Sequence, residues 1–391
     1  MTWRAFFVQT MTGAIGAELD LAAAGSWSIP LNGVEAFDVT ISKTQLREIH
    51  PSWWAPFAGS VLVSWERSDG TLVPWVAGPI VNLPEETRGL DGVAKFDCKG
   101  IGAILEKRVV AEQDFSAKTI QRSIMARKGM SLGTIVQDIV EVATDRRLGG
   151  QLPIVARSPR ETGARLNERT YEGWNLANNG AFKRIKEITE VRGGPDVMFR
   201  PEYGGAGIQW GLYHGTAAQP GIAQDWTMDL DSTSSLSPVA DVAPSSDGEN
   251  VANRVWWTGA GEGAGTLVQK AEDKAALANF MPLLEVVGST SDTENYALLT
   301  EHALARLAAG KTPLKQLSMT IDGADPRAEI GRWHVGDLAR VTTGDEWMTV
   351  QQGTRFERVI AAKGSWNTGM VTVEFQGDEA YEAEEENGET D

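Results

Sequence analysis

Residues 314–352 show the clearest alternation of apolar and polar side chains in the chain. The apolar positions of a first predicted strand are Leu317, Met319 and Ile321. Those of a second predicted strand, around Gly336-Asp337, are Trp333, Val335, Leu338 and Val341. A turn at Thr343-Gly344-Asp345 leads into a third predicted strand, Trp347-Met348-Thr349-Val350. A period of two residues is typical of a half-buried strand, so this segment predicts a β-domain near the C-terminal end.

Residues 1–110 predict a second region of β-structure. Its alternating apolar positions include Phe6, Val8, Phe37, Val39, Ile41, Phe96 and Cys98. Ser68-Asp69-Gly70 lies between two apolar runs, and an Asp-Gly pair in that position is a strong hairpin signal. Pro74 and Pro79 lie in the second run. Because proline cannot donate a backbone hydrogen bond, they restrict that strand to a sheet edge or to bulges.

Between these regions the apolar period becomes that of a helix. One helix is predicted over 131–148, where Ser131 can cap a single apolar stripe. The stripe residues are Leu132, Ile135, Val136, Ile139, Val140 and Ala143. A second helix is predicted over 174–192, with the stripe Trp174, Ala177, Ala181, Ile185 and Ile188. A third is predicted over 291–309, opening on a capping box from Ser291 to Glu294 and ending at Gly310.

The remaining segments complete the predicted plan. Apolar runs on either side of a glycine-rich turn predict a hairpin over 196–214. The Ser/Pro/Asp-rich stretch 231–250 predicts a linker or long loop. The result is an α+β, multidomain chain: a first β-domain over 1–110, an α/β insertion over 111–250, and a hairpin, helix and second β-domain over 251–377.

Composition narrows the class of protein. The 391 residues carry a net charge of −17, and residues 378–391 contribute eight acids and no base. This balance disfavours binding to nucleic acid through phosphate neutralisation, and the acidic tail predicts either a solvated end or a docking peptide for a basic partner. No apolar run reaches the length of a membrane helix, so stable membrane insertion is not expected. Cys98 is the only cysteine, which is consistent with folding in a reducing cytoplasm.

Two glycine-rich stretches resemble nucleotide-binding loops only in part. Gly259-Ala260-Gly261-Glu262-Gly263-Ala264 matches the spacing of a dinucleotide loop, but a strand-like segment follows where a helix is required. A hairpin loop is the preferred interpretation. Gly310-Lys311-Thr312 has Ala305 in place of the first glycine of a phosphate-binding loop and follows a helix instead of preceding one. It is interpreted as a helix end.

The ionisable residues give no catalytic or metal-binding pattern, and we predict no catalytic, cofactor or metal residue. Asp225, Asp229 and Asp231 lack the further ligands of a calcium loop. The histidines lie in separate segments, at His50, His214, His302 and His334, without a zinc-binding partner spacing. Cys98 lies inside an alternating strand and is not expected to act as a nucleophile.

The 14 tryptophans are unusual for a chain of this length. Trp53-Trp54 and Trp256-Trp257 form adjacent pairs, and strand alternation would bury one indole of each pair and expose the other. Core packing together with a subunit interface is the preferred interpretation of these indoles, and a sugar-binding face is the alternative.

Taken in order, these pieces resemble the minor tail proteins that form the tail-tip hub of long-tailed phages, particularly those of actinobacterial hosts. The resemblance lies in three stretches: the Ser-Asp-Gly hairpin with the residues up to Arg108, the predicted helix at Trp174 with its hairpin, and the helix ending at Gly310 with Trp333 to Leu338. It implies two β-barrel- or sandwich-like hub domains with α/β insertions, and three copies closed into a ring.

The resemblance also implies a function, partners and a location. The ring would join the tail tube to the host-recognition tip and form part of the DNA exit channel. Its expected partners are the distal tail protein, the tape measure protein and tip fibre or receptor-binding proteins, with DNA only in transit. The protein would be made in the host cytoplasm and reside in the virion, without cofactors. A cell-wall-degrading tail enzyme and a carbohydrate-binding adhesin remain the alternatives.

Overall fold

The computed structural model describes residues 2–21, 25–83, 92–112, 116–144, 148–163, 166–191, 193–205, 207–279, 281–290, 293–311, 314–347, 349–350 and 352–376. The acidic segment 378–391 therefore lies outside the described residues. Most of the described secondary structure is β, arranged in several sheets with few helices.

The strands and helices follow one another along the whole described chain. The strands are β1 (Trp3–Gln9), β2 (Ile15–Leu19), β3 (Ser26–Pro30), β4 (Ala36–Ser42), β5 (Gly59–Glu66), β6 (Leu72–Asn82), β7 (Val93–Lys99), β8 (Ile124–Met130), β9 (Ile154–Ala156), β10 (Asn167–Glu172), β11 (Val197–Gly204), β12 (Gly207–His214), β13 (Met228–Asp231), β14 (Val239–Asp247), β15 (Arg254–Thr258), β16 (Val268–Glu272), β17 (Glu285–Ser289), β18 (Leu314–Asp322), β19 (Leu338–Thr343), β20 (Gly353–Ser365) and β21 (Met370–Gln376). The α-helices are α1 (Lys43–Arg47), α2 (Gly102–Leu105), α3 (Ala117–Arg122), α4 (Leu132–Ala143), α5 (Ala181–Thr189), α6 (Lys274–Ala278) and α7 (Tyr296–Gly310). Short 3-10 helices lie at Pro51–Trp53, Gly173–Asn175 and Gly263–Gly265.

The chain divides into two compact units. The first comprises the residues up to Asp241 together with Met319–Thr342 and Arg358–Glu374, and the second comprises Val242–Ser318, Thr343–Glu357 and the residues from Phe375. These units do not coincide with the ranges 1–110, 111–250 and 251–377, and the division of the chain into hub domains and insertions stays a prediction.

The first unit is built around one continuous sheet. Its strand order is β18-β21-β20-β3-β4-β7-β6-β5-β1-β2, β19 joins through β20, and β13 pairs with β19. Strands from the two ends of the sequence meet where β20 pairs antiparallel with β3, with Ala362 opposite Ile29 and Gly364 opposite Trp27. The apolar alternation in both end regions therefore builds a single sheet.

A cluster of indoles fills the core on one side of this sheet. Trp3 lies 4.7 Å from Trp65 and 5.2 Å from Trp366, measured between ring centroids. Trp75 lies 5.4 Å from both Trp27 and Trp333. Most of these contacts are edge-to-face, the geometry that the aromatic quadrupole favours. Because these residues come from strands at both ends of the sequence, the cluster stabilises the association of those ends.

A second core in the first unit lies under α4 and α5. The buried residues of α4 include Ile135, Val136 and Ile139, and those of α5 include Ile185 and Ile188. They pack with residues of the sheet β11-β12-β9, such as Trp210, whose Nε1 donates to the Ala77 carbonyl at 3.0 Å. Ser131 caps α4 as predicted, accepting from the Thr134 backbone N–H at 3.2 Å.

The second unit contains a three-stranded sheet in the order β16-β15-β17, with α7 packed on β15 and β16. Its small apolar core consists of Ala252, Val255, Ala271, Ala303 and Leu307. The helix begins at Tyr296, where Asn295 caps it by accepting from the backbone N–H of Ala297 at 2.9 Å. The predicted capping residue Ser291 lies outside the described residues.

Several predicted elements need correction. The strand predicted through Trp333 and Val335 begins only at Leu338, and the helix predicted over 131–148 ends at Ala143. The segment 174–192 contains a 3-10 turn followed by α5, because Asn178-Asn179-Gly180 interrupts the helix; Trp174 is exposed. The predicted linker 231–250 contains β14, an edge strand paired with β18, and Pro244 is tolerated there because an edge strand has unpaired donors. No strand forms over the described part of 347–350, where Met348 is not described, and the long strand β20 follows instead.

The hairpin at Asp69-Gly70 is confirmed, since β5 pairs antiparallel with β6. Strand β6 lies inside the sheet between β5 and β7, so the edge position that its prolines allowed is excluded. The register shifts where Val63 and Ser64 face Val76 and Pro74. The bulge at this point is how an interior strand accommodates Pro74.

Candidate interaction surface

A concave groove lined by many hydroxyl-bearing and charged residues lies on the main sheet of the first unit, and we call it the concave polar groove. Several strands of this sheet alternate between a buried and an accessible face, as in β3, where Trp27 and Ile29 are buried while Ser26 and Ser28 are exposed. β4 and β7 follow the same rule with Phe37 and Phe96 inside. Because one face of each strand supplies the aromatic core, the opposite face is left polar.

Short side chains give this face its depth. The groove has a volume of about 800 Å³ and crosses the strands from β18 to β6. Its lining includes Ser26, Ser28, Ala36, Gly364, Ser365 and Thr372. Serine, alanine and glycine project little from the sheet, so a curved sheet lined by them leaves an open trough along its polar face.

Most charges in and beside the groove are paired within the protein, whereas Lys99, which also lines it, has no ion pair among the described residues. Asp38 and Asp97 lie directly opposite each other on β4 and β7. Lys95 Nζ lies between them, 3.7 Å from Asp38 Oδ2 and 3.8 Å from Asp97 Oδ1. Asp38 also accepts from Ser26 Oγ at 3.0 Å, and Lys363 contacts Glu374 at 2.8 Å. This pairing produces a polar surface without a concentrated field of either sign.

The groove has the character of a contact surface. The thiol of Cys98 belongs to the buried face of β7, where burial and the nearby Asp97 and Asp38 raise its pKa well above the ordinary value. A thiol with a raised pKa is a poor nucleophile at neutral pH. The hydroxyl, amide and paired charged groups of the groove suit hydrogen bonding through water to another macromolecule.

A small cavity of about 20 Å³ lies elsewhere in the first unit, beside Trp75, Glu35 and Arg200. Burial raises the pKa of Glu35 to about 7. Burial, together with the positive charges of Arg200 and Arg67, lowers the pKa of His334 well below its ordinary value. Arg200 donates to the Val335 carbonyl at 3.1 Å and contacts Asp337 at 3.4 Å. These contacts attach the segment that precedes β19 to strand β11.

The two glycine-rich stretches have structural roles. Gly259 to Ala264 lies in the loop between β15 and β16, which pair antiparallel from Thr258 opposite Val268, so the hairpin interpretation is confirmed. Gly310 is the last residue of α7, and a Cβ there would lie 2.8 Å from the Asn250 carbonyl oxygen. Thr312, which completes the second stretch, lies outside the described residues.

The aspartates and histidines singled out in the sequence do not converge. Asp229 forms a two-point contact with Arg340, and Asp231 accepts from Thr233. Within the described ranges, no group of three or more His, Cys, Asp or Glu side chains could hold a metal ion. His50 hydrogen-bonds to Ser52 in a turn, and His214 forms a buried hydrogen bond with Gln137. His302 stacks on Trp257, and His334 stacks on Trp75.

The prediction that each tryptophan pair has one buried and one exposed indole is wrong. Trp53 and Trp54 are both half-buried because they lie in and after a 3-10 helix, where strand alternation does not apply. Trp256 and Trp257 are half-buried on opposite faces of β15. Trp257 stacks on His302 of α7, while Trp256 donates to Glu285 at 2.8 Å beneath Lys270.

Sequence reasoning missed the polar residues of the groove. Asp38, Lys95 and Asp97 are the polar members of the same alternation that identified the core, so the signal was present in the sequence. Which polar faces would align across strands depended on the β20–β3 and β4–β7 pairings, which the sequence did not reveal.

In the part of the chain that the structure describes, no helix combines the length and apolar character needed to cross a membrane.

No family model matches the sequence, and no curated protein matches it either. Solved structures with the same fold do exist. The structure resembles a tail protein from Neisseria meningitidis, with 14% identity, a TM-score of 0.54 and 97% of each chain covered. It also resembles the 43 kDa tail protein of prophage MuSo2 from Shewanella oneidensis, with 10% identity, a TM-score of 0.56, and 95% of this chain and 98% of that one covered. Over nearly its whole length, the chain has the fold of these two tail proteins.

Proposed function

We propose that this protein is a structural hub of a phage tail tip, in which copies of the chain close into a ring of three. The observation that carries the proposal is the fold shared with two tail proteins across at least 95% of the chain. The sequence resemblance to minor tail proteins of long-tailed phages points in the same direction. The protein would then be part of the virion, at the distal end of the tail.

In this proposal the concave polar groove lines the DNA exit channel. Stable binding of DNA requires uncompensated Lys or Arg side chains that replace the condensed counterions. Lys363 in the groove and Lys95 beside it are instead paired with carboxylates, which leaves Lys99 as the one lining lysine without an ion pair among the described residues. Such a surface would neither hold DNA nor repel it with a strong negative field, so the groove suits passage of a polyanion.

The ring also determines which contacts the chain must make. A closed ring of three requires heterologous interfaces, in which two different patches of each chain meet. We assign the two open sides of the ring to the distal tail protein and tape measure protein above and to tip fibre or receptor-binding proteins below. The chain contributes no chemistry in this scheme and acts by positioning its partners.

The first test is the oligomeric state and placement of the full chain. Light scattering coupled to gel filtration, across a range of protein concentrations, should give a mass three times that of the 42.3 kDa chain. Cryo-electron microscopy of tails should show a three-fold density of matching shape at the tip. A chain that stays monomeric at high concentration and is absent from assembled tails would exclude a hub.

A further inference from the structure

The first unit carries an exposed apolar patch that the hub role does not explain. It is centred on Trp174, which is 64% exposed, with Ile124 at 57% and Leu176 at 37%. We call these residues, together with the neighbouring cations Lys118, Arg122 and Lys183, the Trp174 patch. Tryptophan and arginine are the residues in which binding energy most often concentrates at protein interfaces.

The backbone under the patch is fixed in place. Strands β8 and β10 pair as far as Ile124 opposite Glu172, and the Gly173 N–H then donates to the Ser123 carbonyl at 2.7 Å. A Cβ at Gly173 would lie 1.8 Å from the Ile120 carbonyl oxygen, so the close approach to α3 requires glycine. Trp174 therefore stands on a rigid turn beside α3, and little conformational entropy would be lost when a partner binds it.

The cations at the patch face solvent. Lys118 and Arg122 are exposed on α3, and neither is ion-paired with a carboxylate among the described residues. Lys183 donates to Asn178 at 3.1 Å, and Asn178 donates to Asn175, next to Trp174. Glu172 is the one acid within the turn and strand end that carry Trp174. The patch is thus locally positive on a chain whose net charge is −17.

We propose that the Trp174 patch binds the acidic C-terminal segment of a second copy of this chain. Residues 378–391 carry eight acids, no base and one aromatic residue, Tyr381. Carboxylates complement Lys118, Arg122 and Lys183, while the tyrosine ring can pack on the exposed indole of Trp174. The contact links copies of the chain and does not depend on its place in a phage tail.

Binding can be measured with a fluorescent peptide of residues 377–391 titrated with the full chain. The anisotropy should rise on saturation, and Trp174→Ala or Arg122→Glu should weaken binding roughly tenfold or more. The matched controls Phe356→Ala and Lys274→Glu, at another exposed aromatic residue and another exposed lysine, should change nothing. Binding should weaken in high salt. Equal affinity for a scrambled peptide of the same composition would overturn a specific docking site.

Cross-linking places the contact in the whole protein. A photoreactive phenylalanine analogue at position 381 should cross-link to residues 116–124 or 173–178, as mapped by mass spectrometry. Mixing heavy- and light-isotope copies should show that these links join different copies. Links confined to one copy, or directed to another surface, would overturn the proposal, and this result is independent of whether the chain forms a tail-tip ring.

Discussion

At the scale of single residues, the aromatic core is packed so closely that some neighbouring positions can hold only a small residue. Gly364 on β20 lies opposite Trp27, and a Cβ at Gly364 would lie 2.7 Å from the Trp27 ring. The indole is 2% exposed and also contacts Trp3, Trp75 and Trp366, so it cannot move aside. Packing therefore requires glycine at position 364. Backbone conformation does not require it, because the φ angle there is not positive.

The substitution Gly364→Ala is expected to lower the free energy of unfolding by about 1–3 kcal/mol, the usual cost of overpacking a core. Urea denaturation followed by tryptophan fluorescence measures the change. Gly248→Ala is the matched control, because a Cβ there meets nothing within 4 Å, and its effect should be close to zero. Equal stability of Gly364→Ala and wild type would contradict this account of the Trp27 contact.

Burial of Glu35 makes the stability of the protein depend on pH. Its folded-state pKa of about 7 lies above the ordinary value of 4.5 because burial penalises the charged form. The native state therefore holds the proton more tightly than the unfolded chain, and the associated stability is fully present below pH 4.5. It is lost progressively as the pH rises through about 7, where the buried carboxylate ionises.

Glu35→Gln should remove this dependence, because the amide keeps the shape of the side chain without ionising. Relative to wild type, the variant should gain on the order of 3 kcal/mol between pH 4.5 and pH 8, from the size of the pKa difference. Urea denaturation at several pH values measures it. Glu301→Gln, at an exposed position of α7, should show no such gain. A difference between Glu35→Gln and wild type that stays constant with pH would argue against a buried, protonated Glu35.

At the scale of elements, pairs of strands bring like charges together and must compensate for them. Asp38 and Asp97 face each other across β4 and β7, a cross-strand arrangement that is unfavourable for two carboxylates. Lys95 on the same face lies within 4 Å of both. One partly exposed lysine therefore offsets part of the repulsion between these two carboxylates.

Lys95→Met is expected to destabilise the protein by under about 1 kcal/mol, since the lysine is partly exposed and solvent screens its ion pairs. The loss should shrink in 1 M salt, and adding Asp97→Asn should recover part of it. Lys99→Met, on the same strand and face, is the control, because no ion pair of Lys99 is found among the described residues. A salt-independent loss without recovery in the double variant would mean that packing, not charge, accounts for the effect of Lys95.

Elements with a strong local signal were predictable. The cap and apolar stripe of α4 and the Asp-Gly hairpin are encoded within a few residues, so local rules suffice for them. Strand β14 was missed because its Ser/Pro/Asp composition is that of a loop, and only pairing with β18 makes it a strand. Trp174 was wrongly assigned to a buried helical stripe. Its spacing from Ala181, Ile185 and Ile188 fits a helix, but the helix is interrupted before Gly180.

At the scale of the whole molecule, the ends of the sequence belong to one sheet. β3 from the N-terminal region pairs with β20, and Trp27 and Trp75 contact Trp366 and Trp333. A fragment of residues 1–110 would leave one side of β3 unpaired and much of this indole cluster exposed. Stability of the N-terminal region therefore depends on residues more than 200 positions away in the chain.

The fragment 1–110 is expected not to fold cooperatively when expressed alone. Its tryptophan emission should be red-shifted and its near-ultraviolet circular dichroism weak compared with the full chain. Adding a peptide of residues 353–376 in trans tests whether β20 and β21 restore the signal. A sharp, two-state unfolding transition for the isolated fragment would show that 1–110 is an independent domain, as the sequence pattern predicted.

The sequence by itself determined that the chain is rich in β-structure with a few helices, where α4 begins, where the first hairpin lies, and that the chain is acidic. These properties depend on composition and on neighbours a few residues apart. Only the tertiary structure decided that β20 joins β3, that six tryptophans from both ends of the sequence share one core, and that Asp38 and Asp97 line a common groove with Lys95 paired to both. The physical reason is that strand partners are chosen by long-range packing, which an alternating pattern permits without specifying.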